Sequence, residues 1–299
     1  MALAPVPLFV NPTAGRGRAG RRMQRIGELF DDAGVPFLQY SSSAVGDLED
    51  QVCQQVDRGA ERIVIAGGDG SIHEAVNGIL RATKSARLGV IPTGTGNDFA
   101  KASDIPLDWE QATRELAARI DSDAPWRRID IGRMNDRFFA NGAGVGFDAK
   151  VTKVARSYRW PIGDFVYLAA ILRCLFDGVA TPDMSISSDE ISISGPVTLA
   201  NISNGAWVGG MFHIAPMADN TDGQLELVIA DPVSRLRILS LLPKLIAGTH
   251  IGQVGVSHHS IRQLTIECAE PVPSHLDGEV GATDSRFEIE ILPAALELL

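Results

Sequence analysis

The feature that most limits how this chain can fold is a change of hydrophobic period part-way along it. In the first 125 residues, β-rich runs begin at Val6 (VPLFV), Val35 (VPFLQY), Arg62 (RIVIA) and Arg87 (RLGVI). Stretches of helical spacing separate them: Met23, Ile26 and Phe30 share one face, Leu48, Val52 and Val56 a second, and Ile72, Val76, Ile79 and Leu80 a third. Strands that alternate with helices through short connections pair in parallel, with helices covering both faces of the sheet. A further helix follows, with Trp109, Ala112, Leu116 and Ile120 on one side.

Beyond about residue 125 the pattern is different. WRRIDIGRM and RFFANGAGVG read as two strands joined across Asn135 and Asp136, a hairpin rather than a crossover. Helical stretches follow over 147–157 and 163–177. From Asp183 onward MSISS, ISISG, VTLANIS, QLELVIA, IRQLTIEC and RFEIEIL alternate at period two, interrupted by one apolar helix from Leu236 to Ile246. The expected fold is an α/β domain with a parallel sheet and helices on both faces over 1–128, then a mainly antiparallel β-sandwich over 129–299. The last few residues are expected to pack back on the first domain.

Composition narrows the partners. With 37 acidic and 27 basic residues the formal charge is −10, so the overall field repels nucleic acid and no nucleic-acid partner is expected. FVYLAAIL and LRILSLLPKLIAG are both shorter than the roughly 20 apolar residues of a spanning helix. MALAPVPLFVNP has no basic leader and reads as an opening strand rather than a signal peptide. Cys53, Cys174 and Cys268 are odd in number and far apart, which indicates neither a disulfide framework nor a cysteine zinc site and suits a reducing cytoplasm.

The chemistry-bearing segments sit where the first-half strands end. In GGDGSIHEAVNG, Gly67, Gly68 and Gly70 stand before a helix start, with Ser71 and Glu74 spaced as a capping box. Glycines there let a ligand approach the backbone, whose amides suit an anion. A tight turn is the plainer reading of a lone Gly-Asp-Gly. Asp69 is unusual in such a place, because a carboxylate repels phosphate unless a cation or a proton lies between them. A second loop, PTGTGNDFAKAS, has Gly94 and Gly96 flanking Thr95, with Asn97 or Asp98 placed to cap the next helix. A third, NPTAGRGRAGRR, follows the first strand and offers Arg16 and Arg18 as phosphate contacts; with Arg21, Arg22 and Arg25 these also fit a solvated helix face. None matches the G-x-x-x-x-G-K-[ST] phosphate loop, and GAGVGF has the wrong spacing for a dinucleotide fingerprint.

NPTAGRG, GGDGSIHEAVNG and PTGTGNDFAK, in that order and at those spacings, resemble the diacylglycerol kinase catalytic family, which includes sphingosine kinases and bacterial lipid kinases. The likeness continues through NGAGVGFDAKV, NISNGAWVGGMFHIAPMADNTDGQLEL and HLDGE. It implies an ATP-dependent lipid kinase built from a nucleotide domain and a β-sandwich lipid domain, with the active site between the two domains. Carried over by position, the ATP contacts fall on Asn11, Pro12, Thr13, Ala14 and Gly15, on Ser41 or Ser42, on Gly67, Gly68, Asp69, Gly70, Ser71, Ile72 and His73, and on Gly94, Thr95, Asn97 and Asp98. The general base falls on Asp277, with Glu279 close by; a structural Mg²⁺ site falls on Asp222, flanked by Asp219 and Gln224. Ser71 and His73 stand where many members have threonine and asparagine. For Asp277 the plainer reading is an Asp-Gly hairpin turn, and for Asp219 and Asp222 it is a polar turn, NTDG.

The resulting expectation is that the loops grip the ATP phosphates, Mg²⁺ near Asp69 offsets their charge, and Asp277 takes the proton of a lipid hydroxyl. The lipid would be presented at a membrane surface, by peripheral contact at its inner face. The apolar helices around Phe165–Leu175 and Leu236–Ile246 would line an acyl pocket or touch the bilayer, although burial in a core is the commoner fate of such helices. Two other readings compete: a soluble-substrate kinase of the NAD kinase type, and a non-catalytic nucleotide- or lipid-binding module. Monomer and homodimer are both left open.

Overall fold

A computed structural model of the chain describes residues 4–11, 14–42, 44, 46–122, 125–158 and 165–299, with the side chains of 14–19 outside the description. The chain forms two units, one of Met1–Ile129 with Ala294–Leu299 and one of Asp130–Pro293.

The first unit runs β1 (Val6–Val10), α1 (Ala14–Asp32), β2 (Phe37–Ser41), α2 (Asp47–Asp57), β3 (Arg62–Gly67), α3 (Asp69–Arg81), β4 (Arg87–Pro92), α4 (Asp98–Ala102) and α5 (Trp109–Asp121). Its strands are parallel in the order β2-β1-β3-β4, and the chain end adds a further parallel pairing, Glu297 and Leu298 beside Arg87 and Leu88. One face packs Leu8, Val64 and Ile91 against Ile26 and Phe30 of α1 and Leu116 and Ile120 of α5. Each such side chain, fully buried, contributes about 1.5–3 kcal/mol. On other strand positions Phe9, Ile63 and Ile65 are equally buried, as are Val52, Val56 and Val76 of α2 and α3.

Three local readings of the sequence are corrected here. The segment after β1 is not an extended glycine loop: helical backbone begins at Ala14, so Gly15, Gly17 and Gly20 lie inside α1. Interior glycines cost about 1 kcal/mol each, and the packing of Ile26 and Phe30 further along the helix offsets this. The capping box is absent too. Helix α3 starts at Asp69 with Gly68 as N-cap and no side-chain cap, while the Glu74 carboxylate accepts the Leu48 amide at 3.1 Å in the first turn of α2. At α4, Asn97 is the N-cap in a left-handed conformation (φ 51°) and makes no capping bond, and Asp98 pairs with Lys101 at 3.2 Å.

The second unit contains β5 (Arg127–Met134, from Asp130 on), β6 (Arg137–Phe139), β7 (Gly142–Gly146), α6 (Phe147–Ser157), α7 (Phe165–Asp177), β8 (Asp183–Ser187), β9 (Ser192–Pro196), β10 (Leu199–Ser203), β11 (Leu225–Ala230), α8 (Arg235–Ile246), β12 (Val256–Ile261), β13 (Gln263–Leu276) and most of β14 (Glu279–Leu298). One antiparallel sheet runs β12-β11-β10-β7-β13; the other runs β9-β8-β13-β14-β5-β6. Strand β13 belongs to both. Thr265–Cys268 pair with β8, Ser274–Leu276 pair with β7, and the register shifts between Glu267 and Val272, where the strand turns the corner. The sandwich core takes Val145, Ala200, Ile202 and Leu227 from one sheet and Met184, Ile186, Phe287 and Ile289 from the other. On the outward side of the first sheet, α6, α7 and α8 gather around Leu199 in a second apolar cluster.

The hairpin across Asn135 and Asp136 forms as expected. RFFANGAGVG, however, is two strands in two sheets, β6 and β7, separated by Ala140 and Asn141.

Candidate functional site

In the first unit the carboxyl ends of the four parallel strands lie side by side: Ser41 pairs with Val10, Val10 with Ala66, and Gly67 with Pro92. Most of the nucleotide contacts expected from the sequence therefore emerge from one edge, the edge at which open α/β sheets bind ligands. Asn11 leaves β1 there and its side chain donates to the Ser71 hydroxyl at 3.4 Å. Ser41 is exposed at the end of β2, and Thr95 is exposed above β4. Ser71, Ile72, His73 and Asp98 are buried, so of the two loops it is the backbone at Gly68–Gly70 and Gly94–Asn97 that offers accessible surface. Pro12 and Thr13, and the side chains of Ala14, Gly15, Arg16 and Arg18, lie outside the described residues. Arg22 stacks over Trp109 and Arg25 pairs with Glu28 and Glu110, which places that part of the basic cluster against α5 and neighbouring acids.

The two glycine loops touch. A Cβ on Gly94 would fall 2.6 Å from Cα of Gly68, and one on Gly68 would fall 3.0 Å from Cα of Gly94, so side-chain-free residues on both sides are what allow this approach. The Thr93 amide also donates to the Gly67 carbonyl at 2.9 Å. Together the loops present the amino end of α3, where the Ser71 and Ile72 amides donate to the Gly68 carbonyl (2.9 and 3.1 Å), next to the left-handed turn at Asn97. The positive end of a helix suits an anion. Asp69 has a structural reason to be there: its Oδ1 accepts the Phe99 amide at 3.0 Å and so caps α4 from the neighbouring loop.

In the second unit Asp277 and Gly278 form the two-residue turn between β13 and β14, both with positive φ (50° and 78°), as an Asp-Gly hairpin turn requires. Asp277 also does more. Its carboxylate accepts three backbone amides, from Ala140 (3.0 Å), Asn141 (2.8 Å) and Gly142 (3.0 Å). These donors are the two residues of the break between β6 and β7 and the first residue of β7. Glu279 forms an ion pair with Arg156 of α6.

Two residues before Asp277, His275 opens onto a cavity of about 140 Å³ walled by α6, α7, α8 and the outward side chains of β10 and β11. The lining is apolar (Val151, Ile171, Leu199, Phe212, Leu242, Leu245) apart from a few polar groups, including Asp148, Asn201 and His275. Asp148 Oδ2 lies 3.4 Å from His275 Nε2 and accepts from Asn201 at 3.4 Å; Ser203 in turn donates to Asn201 at 2.7 Å. Gly144 makes this cluster possible, since a Cβ there would sit 1.9 Å from Asp148 Oδ2. His275 is buried, and its Nδ1 has no hydrogen-bond partner among the described residues. Sequence reasoning assigned no role to Asp148, Asn201 or His275; the signal available was that all three lie inside segments that carry the family likeness, NGAGVGFDAKV, NISNGAWVGG and HLDGE.

The turn expected to hold Mg²⁺ is tied up largely with itself. Asp219 Oδ1 accepts the amide and hydroxyl of Thr221 (3.0 and 2.6 Å), Asp222 Oδ1 accepts the Gln224 amide (2.8 Å), and Asp130 accepts the Gly223 amide (2.7 Å). Desolvation, with the charges of Asp219, Glu226 and Asp130, pushes the Asp222 carboxyl above its ordinary range, against the opposing Gln224 amide. Among the described residues no three metal-ligating side chains come together. The Asp219 carboxylate is committed to its own turn, so of the two acids Asp222 is the one that would be left to offer oxygen to a hard cation.

Comparison with known proteins agrees with the two-part fold. Residues 5–134 match the model of the diacylglycerol kinase catalytic domain, and residues 142–299 match that of the YegS C-terminal NAD kinase beta sandwich-like domain. Diacylglycerol kinase of Mycobacterium tuberculosis (strain ATCC 25618 / H37Rv) is 30% identical over 302 residues, covering 99% of this chain and 95% of its own. Diacylglycerol kinase of Bacillus subtilis (strain 168) is 28% identical over 275 residues, covering 92% and 89%. A crystal structure of a diacylglycerol kinase from Bacillus anthracis str. Sterne superposes with a TM-score of 0.76 at 20% identity over 100% of this chain and 97% of its own, which supports the fold. This chain is a kinase and belongs to the diacylglycerol kinase catalytic family.

Proposed function

We propose that this kinase transfers the γ-phosphoryl group of ATP to a hydroxyl of a lipid such as diacylglycerol. The observation that carries the lipid assignment is the cavity of the second unit: a nearly all-apolar wall, a polar cluster at Asp148, Asn201 and His275, and the Asp277 turn two residues further along β13. An acyl chain fits such a wall and a polar headgroup fits such a cluster. NAD has no acyl chain to fill such a wall, which disfavours the soluble-substrate reading.

In this reading the backbone amides of the two touching glycine loops, with Asn11 and Ser41 on the same edge, hold the triphosphate. Phosphoryl transfer asks mainly for alignment and charge neutralisation, with a carboxylate placed to accept the proton of the substrate hydroxyl. Asp277 takes that role, and Arg156 orients Glu279 beside it. Asp69 fixes α4 and so the shape of the phosphate loops. Asp222 and, beside the phosphate loops, Asp69 are the carboxylates that would hold Mg²⁺, which would supply neutralisation of phosphate charge. The relatives named diacylglycerol kinase support the substrate class.

Asp277→Asn keeps ATP affinity within about twofold and lowers turnover by roughly 10²- to 10⁴-fold, the range general-base removal spans. Equilibrium binding of a fluorescent ATP analogue, thermal unfolding to check the fold, and single-turnover kinetics read the two effects apart. Turnover near wild type in a folded variant removes Asp277 from the chemistry.

A further inference from the structure

Helices α7 and α8 are apolar on two faces, and only one of those faces is buried. Inward, Tyr167 and Ile171 of α7 and Ile238, Leu241, Leu242 and Leu245 of α8 line the cavity. Outward, α7 exposes Phe165, Leu172 and Phe176, and α8 exposes Leu236, Leu239 and Ile246. Phe176 and Leu236 are 81% and 79% exposed. Of the twelve large apolar side chains strongly exposed among the described residues, these two helices carry six, so the exposure is concentrated rather than scattered. The two outward faces are neighbours: a methyl group added at Gly178, the residue after α7, would lie 3.8 Å from the Arg235 guanidinium at the start of α8.

The charge around this surface is opposite in sign to that of the chain. Helix α8 carries Arg235, Arg237 and Lys244 and no acid, and α6 carries Lys150 and Lys153, its Arg156 being paired with Glu279 and its Asp148 lying against His275, in a chain of formal charge −10. Arg173 on α7 is neutralised by Asp177 at 2.9 Å. Apolar side chains projecting from helices whose polar positions are basic form the signature of a surface that enters the headgroup layer of an anionic bilayer. A second copy of the chain would have to bring like charges together, and no helix among the described residues is long and apolar enough to cross a membrane instead.

We propose that the outward faces of α7 and α8 form a docking surface for an anionic lipid bilayer, with Phe176 and Leu236 inserting among the lipids and Arg235 and Arg237 contacting headgroups. The inference rests on the lipid-kinase reading for its purpose: the helices that touch the bilayer are those that wall the cavity, so a lipid leaving the membrane enters between elements already seated on it.

The test is flotation with vesicles of phosphatidylcholine alone and of phosphatidylcholine mixed with phosphatidylglycerol, set beside phosphorylation of water-soluble dihexanoylglycerol. The wild-type chain is expected to float with the anionic vesicles at least tenfold better than with neutral ones, each basic residue near the surface being worth about fivefold. Raising salt from about 0.1 to 1 M weakens this. The double variant Phe176→Glu/Leu236→Glu, changed only at exposed positions off the cavity wall, is expected to lose vesicle binding by roughly 100-fold while phosphorylating dihexanoylglycerol as the wild type does. Binding that the double variant retains, or that ignores lipid charge, overturns the proposal. So does a dimer, seen by sedimentation, that the variant dissolves while neither protein binds vesicles. If dihexanoylglycerol is not phosphorylated but charge-dependent binding and its loss persist, the docking surface stands and the lipid-kinase reading fails.

Discussion

At the scale of single residues, the site depends on where side chains are absent. Gly94 faces Gly68 so closely that Gly94→Ala must push one glycine loop off the other or displace the Asn97 side chain, 2.7 Å from the new methyl. Such overpacking typically costs about 1–3 kcal/mol. Because the strain falls on the loops themselves, ATP affinity should drop about tenfold or more, measured by isothermal titration; unchanged affinity would show that the contact between the loops does not shape the nucleotide site. The glycines and Asp69 could be picked out from the sequence, since few other reasons place three glycines and an acid at a strand end. The use made of Asp69 could not: its partner, the Phe99 amide, lies thirty residues away across a loop contact that no local pattern encodes. Likewise Glu74 has the spacing to cap its own helix but caps α2 instead, because tertiary packing brings the Leu48 amide within 3.1 Å.

At the scale of elements, hydrophobic period located the helices and strands of the first unit well, because each strand and helix there pairs with near neighbours in sequence. It failed at RFFANGAGVG, where the chain leaves one sheet for the other; the break is set by the Asp277 carboxylate more than 130 residues downstream. Burial of the α7 and α8 stripes in a core was the commoner expectation, but both helices also expose apolar faces. The turn before β11 is an element with a cost built in. Desolvation and neighbouring acids raise the Asp222 pKa, so its ionisation is harder in the folded chain than in the unfolded one. For a carboxylate shifted upward, folding is penalised once pH rises above the unfolded value, near 4, and the penalty reaches its full size above the folded value. A cation at this turn relieves it. Mg²⁺ should therefore raise the melting temperature at pH 7 and do so progressively less as pH falls toward 4, and Asp222→Asn should abolish the Mg²⁺ shift while making the unliganded protein no less stable. A Mg²⁺ effect undiminished in that variant would place the cation elsewhere.

At the scale of the whole molecule, the change of hydrophobic period near residue 125 anticipated the passage from an α/β to a β-sandwich pattern; the passage falls between Ile129 and Asp130, and the last six residues return to the first unit. What the sequence did not disclose was the cavity, since its wall is assembled from three helices, four strands and the loops between them, spread from Phe147 to His275. That cavity carries the central claim, that a triphosphate held by glycine-loop amides is used on a lipid. The most direct measurement incubates the purified chain with γ-labelled ATP, Mg²⁺ and either diacylglycerol in mixed micelles or NAD, and follows the label after organic extraction. The account expects label in a phosphorylated lipid in the organic phase and none on NAD; label on NAD with an unlabelled lipid fraction would contradict it.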